Sequence, residues 1–155
     1  FNEYGACLER ALVGLPPVPE PVGLYTPFRI AGNLVFINQI ALKDGHVLNP
    51  GIIAETVSEE EAKASTRLTM LNVLAVLHKA LDGDFSRVKQ VIQISGYFNV
   101  RTNYQNHSAI LNEASKVAVE WFGEERGIAA RAAFGVSSLP LNSPVEIQAI
   151  IEIER

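Results

Sequence analysis

The last part of the chain, residues 131–154, limits the possible folds more than any other stretch. It reads RAAFGVSSLPLNSPVEIQAIIEIE, with apolar residues at every second position on both sides of a turn rich in Ser, Pro and Asn. Alternation of this kind predicts half-buried β-strands, because successive side chains of a strand point to opposite faces of the sheet. The pattern therefore predicts a hairpin whose two arms each bury one face.

The two predicted arms also place a cation and a carboxylate away from the core. The side expected to be buried carries the apolar residues Ala130, Ala132, Phe134, Val136, Val145, Ile147, Ala149, Ile151 and Ile153. Arg131 and Glu146 fall on the other side. If the arms pair, these two side chains share the sheet face opposite the core, which suggests a functional site.

Size and composition favour one domain over residues 1–155. The 155 residues are long enough to bury a substantial core. With 48% hydrophobic residues and a mean hydropathy of +0.14, the chain is apolar enough to suggest that more than one sheet face is covered, for instance by oligomerisation. A net charge of −4 without a Lys/Arg cluster argues against a nucleic-acid surface or an anionic membrane surface.

Cysteine and histidine usage indicates a metal-free protein of the cytoplasm. Cys7 is the single cysteine, so no internal disulfide can form, and His46, His78 and His107 lack the spacing of metal ligands. The apolar runs are far shorter than the roughly 18 to 20 residues that a membrane span needs. The acidic start also lacks the basic segment of a signal peptide.

The sequence pattern of the N-terminal part predicts a helix and then a connector, which precede the body of the domain at residues 24–155. Residues 2–13 can form a short amphipathic helix. Four prolines in residues 15–22 indicate an extended, semi-rigid connector. Segments 24–30 and 34–42, joined by a short turn that contains Gly32, are typical of a first hairpin.

The sequence pattern in the middle of the chain predicts two long helices, with one strand between them in chain order. Ser58 and Glu61 form a capping-box pattern that starts the first helix, and residues 82–84 end it. Residues 88–100 alternate as a strand, and a second helix is expected over 103–122. The predicted apolar faces of the two helices carry Met70, Leu74, Leu77, Leu81, Ile110, Ala114, Val117 and Trp121.

This order predicts an α+β fold. After the N-terminal helix the elements run β-β-α-β-α-β-β. Right-handed crossovers would place both long helices on one face of a single mixed sheet. The other face of the sheet is expected to carry both polar and apolar side chains. Assembly into a closed ring of subunits is a simple way to cover it.

Several motifs together carry a resemblance to a known family. They lie at residues 22–25, 32–36, 120–124, 131–136 and 139–146, with Arg131 to Val136 as the most specific. With them the chain resembles the RidA/YjgF/UK114 superfamily, in its branch described as YjgF-like endoribonuclease or chorismate-mutase-like.

The resemblance implies a chorismate-mutase-like fold assembled as a homotrimer with clefts between subunits. It also implies hydrolysis of reactive enamines and imines, such as 2-aminoacrylate, to 2-keto acids and ammonia, without a metal or an organic cofactor. Arg131 matches the arginine that binds the substrate carboxylate, and a planar guanidinium suits that role. Glu146 matches the acidic residue that handles water, as a carboxylate can.

Four further positions are expected to line the cleft. Tyr25 matches the family's tyrosine there, and Gln39 follows the second strand. Thr102 falls about where the deaminases carry an asparagine, and Ala133 stands where many relatives carry a cysteine.

Other interpretations stay open. Arg131 and Glu146 could form a structural ion pair. The protein could bind a small carboxylate-bearing metabolite without turning it over. The ribonuclease activity in the family name is the least favoured, because phosphate contacts dominate RNA affinity and the chain is acidic.

Overall fold

A computed structural model describes residues 14–155. The predicted helix over 2–13 and Cys7 lie outside these residues. The strands are β1 (Phe28–Ala31), β2 (Leu34–Ile40), β3 (Leu42–Lys43), β4 (His46–Val47), β5 (Val88–Asn99), β6 (Ala130–Val136) and β7 (Val145–Ile153). The helices are α1 (Glu59–Ala80) and α2 (His107–Gly127), with short 3₁₀ turns at Phe85–Arg87 and Pro140–Asn142.

Five strands form one mixed sheet in the order β1-β2-β7-β5-β6. All neighbouring pairs are antiparallel except β5 and β6, which are parallel. The small β3–β4 ribbon was not predicted, since its strands have only two residues each. The α+β class with two long helices and a mixed sheet is confirmed.

The predicted C-terminal hairpin is wrong. β5 lies between β6 and β7 and pairs with both, so the two arms do not pair with each other. The reason lies in the connection before β6: α2 carries the chain back across the sheet, which lets β6 add in parallel to the outer side of β5. β7 then fills the position between β2 and β5, and β6 becomes an edge strand.

The capping box at the start of α1 forms as the sequence predicts. The amide of Glu61 donates to Ser58 Oγ at 3.1 Å, and the amide of Ser58 donates to the Glu61 carboxylate at 3.0 Å. The predicted apolar faces of both helices are buried against each other and against the sheet. α2 extends beyond the predicted end, because Gly123, with φ of 79°, interrupts it without stopping it.

The alternation of β7 shows which residues of this strand contribute to the core beneath the helices. Its odd-numbered residues, Val145 to Ile153, are buried, whereas the even-numbered ones from Glu146 to Glu152 are half-buried on the other face, called here the open face. In β5 two register shifts near Val91 break the alternation, so Val91 is buried and the adjacent Ile92 is only half-buried.

The open face carries aromatic side chains. Phe36 on β2 is 41% exposed and Phe134 on β6 is 48% exposed. The Phe134 ring stacks on Tyr97 with centroids 5.2 Å apart, and the Tyr97 hydroxyl donates to Gln148 at 2.8 Å. This mixture of aromatic and polar groups agrees with the predicted character of the uncovered face.

Candidate active site

One cavity of about 410 Å³ lies beside the open face, between the Pro-rich connector and the sheet. We call it the Glu146 cavity. Its wall comes from residues 19–22 and 25–29, from β2 and from the first part of β7. Prolines hold the connector extended, so it covers this end of the sheet without needing partners for backbone amides that proline lacks. Three predicted site residues border the cavity, namely Tyr25, Gln39 and Glu146.

Glu146 is the acidic group of this cavity. It stands at the start of β7, in register with Ile40 of β2 and Tyr97 of β5. Burial of the half-buried side chain raises the pKa of its carboxyl. Within residues 14–155 no hydrogen bond or ion pair to this carboxyl is observed. A carboxyl group in such surroundings can accept and return a proton at a pH closer to neutrality than an ordinary glutamate.

Tyr25 presents its hydroxyl group at the connector side of the cavity. The hydroxyl oxygen accepts a hydrogen bond from the Val22 amide at 3.0 Å, and the Tyr25 amide donates to the Gly23 carbonyl at 3.0 Å. These two contacts fold the connector into a tight turn. The hydroxyl proton of Tyr25 remains available to a ligand.

Gln39 borders the cavity, but the alternation of β2 puts it on the helix-covered face. It is in register with Ile147, which is fully buried. The adjacent Asn38 pairs with Gln148 and is exposed on the open face, where Glu146 also lies. Asn38 is therefore the amide of β2 that shares the face of Glu146. Counting alternate residues from the buried Val35 and Ile37 would have identified it from the sequence.

Arg131 lies on the other face of the sheet. On β6 it is in register with Ile94, which is fully buried beneath the helices. Glu146 is in register with Tyr97, three residues further along β5 and so on the opposite face. The prediction that Arg131 and Glu146 share one face is wrong, because it assumed that the apolar side of β6 faces the core. As an edge strand beside α2, β6 instead turns Arg131 toward that helix.

The guanidinium of Arg131 is held by neutral groups of α2. One terminal nitrogen donates to Asn112 at 2.7 Å and to Ser115 at 3.2 Å, and the other donates to Ser108 at 2.8 Å through its hydroxyl and 3.3 Å through its carbonyl. We call these four residues the Arg131 cluster. Among the described residues Arg131 has no carboxylate partner. Its Nε–H is the donor that these bonds leave for a ligand.

The three polar residues of α2 were missed in the sequence. Ser108, Asn112 and Ser115 follow a spacing of four and then three residues, which places them on one stripe of a helix. A polar stripe at that spacing, next to an edge strand that carries an arginine, is the signal that could have revealed them.

The remaining predicted positions lie outside the Glu146 cavity. Ala133 is exposed two residues after Arg131, on the same face of β6. Thr102 is exposed in the turn between β5 and α2. The structure therefore separates five of the six predicted residues into two groups, and Thr102 belongs to neither. Tyr25, Gln39 and Glu146 border the cavity, whereas Arg131 and Ala133 lie on the helix-covered face of the edge strand.

Residues 14–155 contain no candidate metal cluster and no candidate membrane-spanning helix. In that part of the chain no group of three or more His, Cys, Asp or Glu side chains could hold a metal ion. In the same part, neither long helix combines the length and apolar character that crossing a bilayer requires.

The model of the family described as "YjgF/chorismate_mutase-like, putative endoribonuclease" matches residues 6–153. The chain belongs to this family. Its resemblance to the RidA/YjgF group and the chorismate-mutase-like fold predicted from the sequence motifs are thereby confirmed.

Individual members of the YjgF family are similar over nearly the whole chain. Protein TCP17 of Trypanosoma cruzi is 30% identical over 153 residues, which cover 98% of this chain and 95% of that protein. A Shewanella oneidensis structure, described as a "putative endoribonuclease", is 31% identical with a TM-score of 0.88, over 98% of this chain and 100% of the other. A 2-iminobutanoate/2-iminopropanoate deaminase of Dermatophagoides farinae is 26% identical over 146 residues, 94% of this chain and 98% of that enzyme.

Proposed function

We propose that this protein hydrolyses reactive 2-imino and 2-enamino acids to 2-keto acids and ammonia, in clefts formed between two copies of the chain. The observation that carries the proposal is the Glu146 carboxyl group, half-buried in a cavity, with a raised pKa and no partner among residues 14–155. The similar deaminase of Dermatophagoides farinae, whose name states an activity on 2-imino acids, supports the same reaction class.

The chemistry needs one group that can take up and release a proton beside the substrate C2 carbon. Water adds to the C=N carbon while the Glu146 carboxylate takes one of its protons. The product of this addition to the protonated imine is a neutral carbinolamine, which then receives that proton on nitrogen. As the C–N bond breaks and ammonia leaves, the Glu146 carboxylate takes the hydroxyl proton, which leaves the C=O of the keto acid. A raised pKa helps both steps, because the same group must be a base in the first and an acid in the second. For an enamine, protonation at C3 first gives the imine.

Arg131 would bind the substrate carboxylate from a second copy of the chain. Within one protomer Arg131 and Glu146 lie on opposite faces of the sheet, so a small substrate cannot reach both. The arginine of a neighbouring copy removes this conflict. A substrate carboxylate would accept hydrogen bonds from the Arg131 Nε–H and from one terminal N–H, which would give up its bond to Ser108 or Asn112. Because the residues around the guanidinium are neutral, its positive charge is not compensated and can attract the ligand.

The open face also supports assembly from several copies. Phe36 and Phe134 are exposed on it, at the two sides of the sheet. Contact with another copy would remove this aromatic surface from water. We propose a homotrimer in which each of three clefts takes Arg131 from one copy and Glu146 from the next.

The test is the release of keto acid and ammonia from enzymatically generated 2-aminoacrylate, measured above the spontaneous rate in buffer. We expect Glu146→Gln to lower kcat/KM by roughly a hundredfold or more, as for loss of a general acid–base group. Arg131→Lys keeps the positive charge but loses the planar guanidinium that can donate two parallel hydrogen bonds to a carboxylate. Because this weakens substrate binding, the variant should mainly raise KM. Arg67→Ala, which removes an exposed arginine paired with Glu120 on the helices, is the matched control and should keep the activity.

Two results would overturn the proposal. The first is wild-type protein that does not exceed the buffer rate. The second is an unchanged rate in both Glu146→Gln and Arg131→Lys. Binding of a 2-keto acid without turnover, lost in Arg131→Lys, would instead indicate a metabolite-binding protein.

A further inference from the structure

We propose that Arg29 makes the Glu146 cavity selective for imino acids whose side chain carries a second carboxylate. This inference rests on the proposed function, because it assigns Glu146 to the reacting end of the substrate. It adds the class of side chain that the other end of the cavity accepts.

Arg29 is a second charged group at the cavity wall. It lies on β1 in register with Phe36 of β2, and both are exposed on the open face, where Glu146 also lies. Both Arg29 and Phe36 border the cavity. Over residues 14–155 the Arg29 guanidinium has neither an ion pair nor a hydrogen bond to a side chain. The proposed reaction at Glu146 and Arg131 gives it no role.

The spacing of Arg29 and Glu146 fits a longer substrate. Arg29 is in register with Phe36, and Glu146 with Ile40. These positions are four residues apart on β2, or roughly 13 Å along the strand. Since β1 and β7 flank β2, the two residues are also separated by about two strand spacings, or ~10 Å. These separations put the two Cα atoms roughly 16 Å apart, which leaves room between the side chains for a substrate that reacts at one end and carries an anion at the other.

The cavity wall favours an anion at the Arg29 end. Apolar side chains and prolines form much of the wall there, including Phe28, Pro21 and Pro27. A cation beside apolar groups interacts more strongly with an anion than it would in open water. Glu20 also borders the cavity and is exposed, but it forms no ion pair with Arg29. A planar guanidinium matches a carboxylate through two parallel hydrogen bonds.

The experiment compares two imino acids that differ in the far end of the side chain. Amino-acid oxidases generate 2-iminoglutarate and 2-iminobutanoate, and keto-acid release gives kcat/KM for each. We expect wild-type protein to prefer 2-iminoglutarate, and we expect Arg29→Gln to lower the ratio of the two kcat/KM values by roughly tenfold to a hundredfold, as for loss of a hydrogen bond to a charged group. Lys89→Gln removes the same charge from an exposed site outside the cavity and should leave the ratio unchanged.

A binding measurement separates this inference from the proposed function. Calorimetry compares 2-oxoglutarate with 2-oxobutanoate, which requires no turnover. If no imine is hydrolysed but 2-oxoglutarate binds more tightly and Arg29→Gln removes the difference, the proposed function fails and the role of Arg29 stands. If imines are hydrolysed without a preference for the diacid, or if the preference persists in Arg29→Gln, the inference about Arg29 is overturned while the proposed function stands.

Discussion

Mixing two inactive variants should restore activity if the site spans two copies of the chain. Arg131 and Glu146 lie on opposite faces of the sheet in one protomer. An Arg131→Ala copy still supplies Glu146, and a Glu146→Gln copy still supplies Arg131. In a closed ring, a site between neighbours is intact when the first kind of copy contributes the acid and the second kind contributes the arginine. With equal and random mixing, about a quarter of the sites are intact, independent of the number of copies in the ring.

The assay is 2-aminoacrylate deamination by the two variants, co-expressed or refolded together. Each variant alone should be nearly inactive, and the mixture should reach about a quarter of the wild-type rate per chain. Native mass spectrometry establishes that mixed assemblies have formed. A control mixture of Arg131→Ala with the double variant Arg131→Ala/Glu146→Gln contains no Arg131 and should stay inactive. Mixed assemblies with no more activity than their components would refute a site shared between copies.

Two further predictions concern stability, measured by urea unfolding at one fixed protein concentration because oligomers unfold in a concentration-dependent way. Burial raises the pKa of Glu146, so the folded state binds this proton more tightly than the unfolded state does, and stability falls as the pH rises from the unfolded pKa through the folded pKa. Glu146→Gln should therefore stabilise the protein more at about pH 8 than at about pH 5, and an equal effect at both would contradict a raised pKa. Ser58→Ala should lower the free energy of unfolding by about 1 kcal/mol, because the Glu61 amide loses its cap, and no loss would show that the capping box contributes little.

Local signals in the sequence located the elements with little error. The capping box at Ser58 marks the residue before α1, because a cap involves only groups three residues apart. The apolar stripes that include Met70 and Ile110 are buried as predicted, since helix period alone determines which residues share a face. Errors appear where tertiary contacts intervene. The second helix was expected to end at residue 122, and Gly123 does have the positive φ of 79° that interrupts a helix, but helical turns resume after it and continue to Gly127.

The sequence predicted part of the cavity wall but not the arrangement of the candidate site. Tyr25, Gln39 and Glu146 do border one cavity. The position of Arg131 required the strand order, because the alternation of a strand identifies two faces without saying which face meets the helices. On a central strand burial would settle the choice, whereas β6 is at the sheet edge and its apolar side, which includes Phe134, lies on the open face.

The sequence by itself determined where the two long helices and the five strands of the main sheet lie, which side of β7 is buried, and which charged groups are candidates for chemistry. These properties depend on periodicity and on contacts between near neighbours in the chain. Only the tertiary structure decided that β5 separates β6 from β7, and so that Arg131 and Glu146 lie on opposite faces. That outcome follows from long-range strand pairing, in which α2 returns the chain to the outer side of β5. No local sequence pattern indicates which strand will pair with the edge of another.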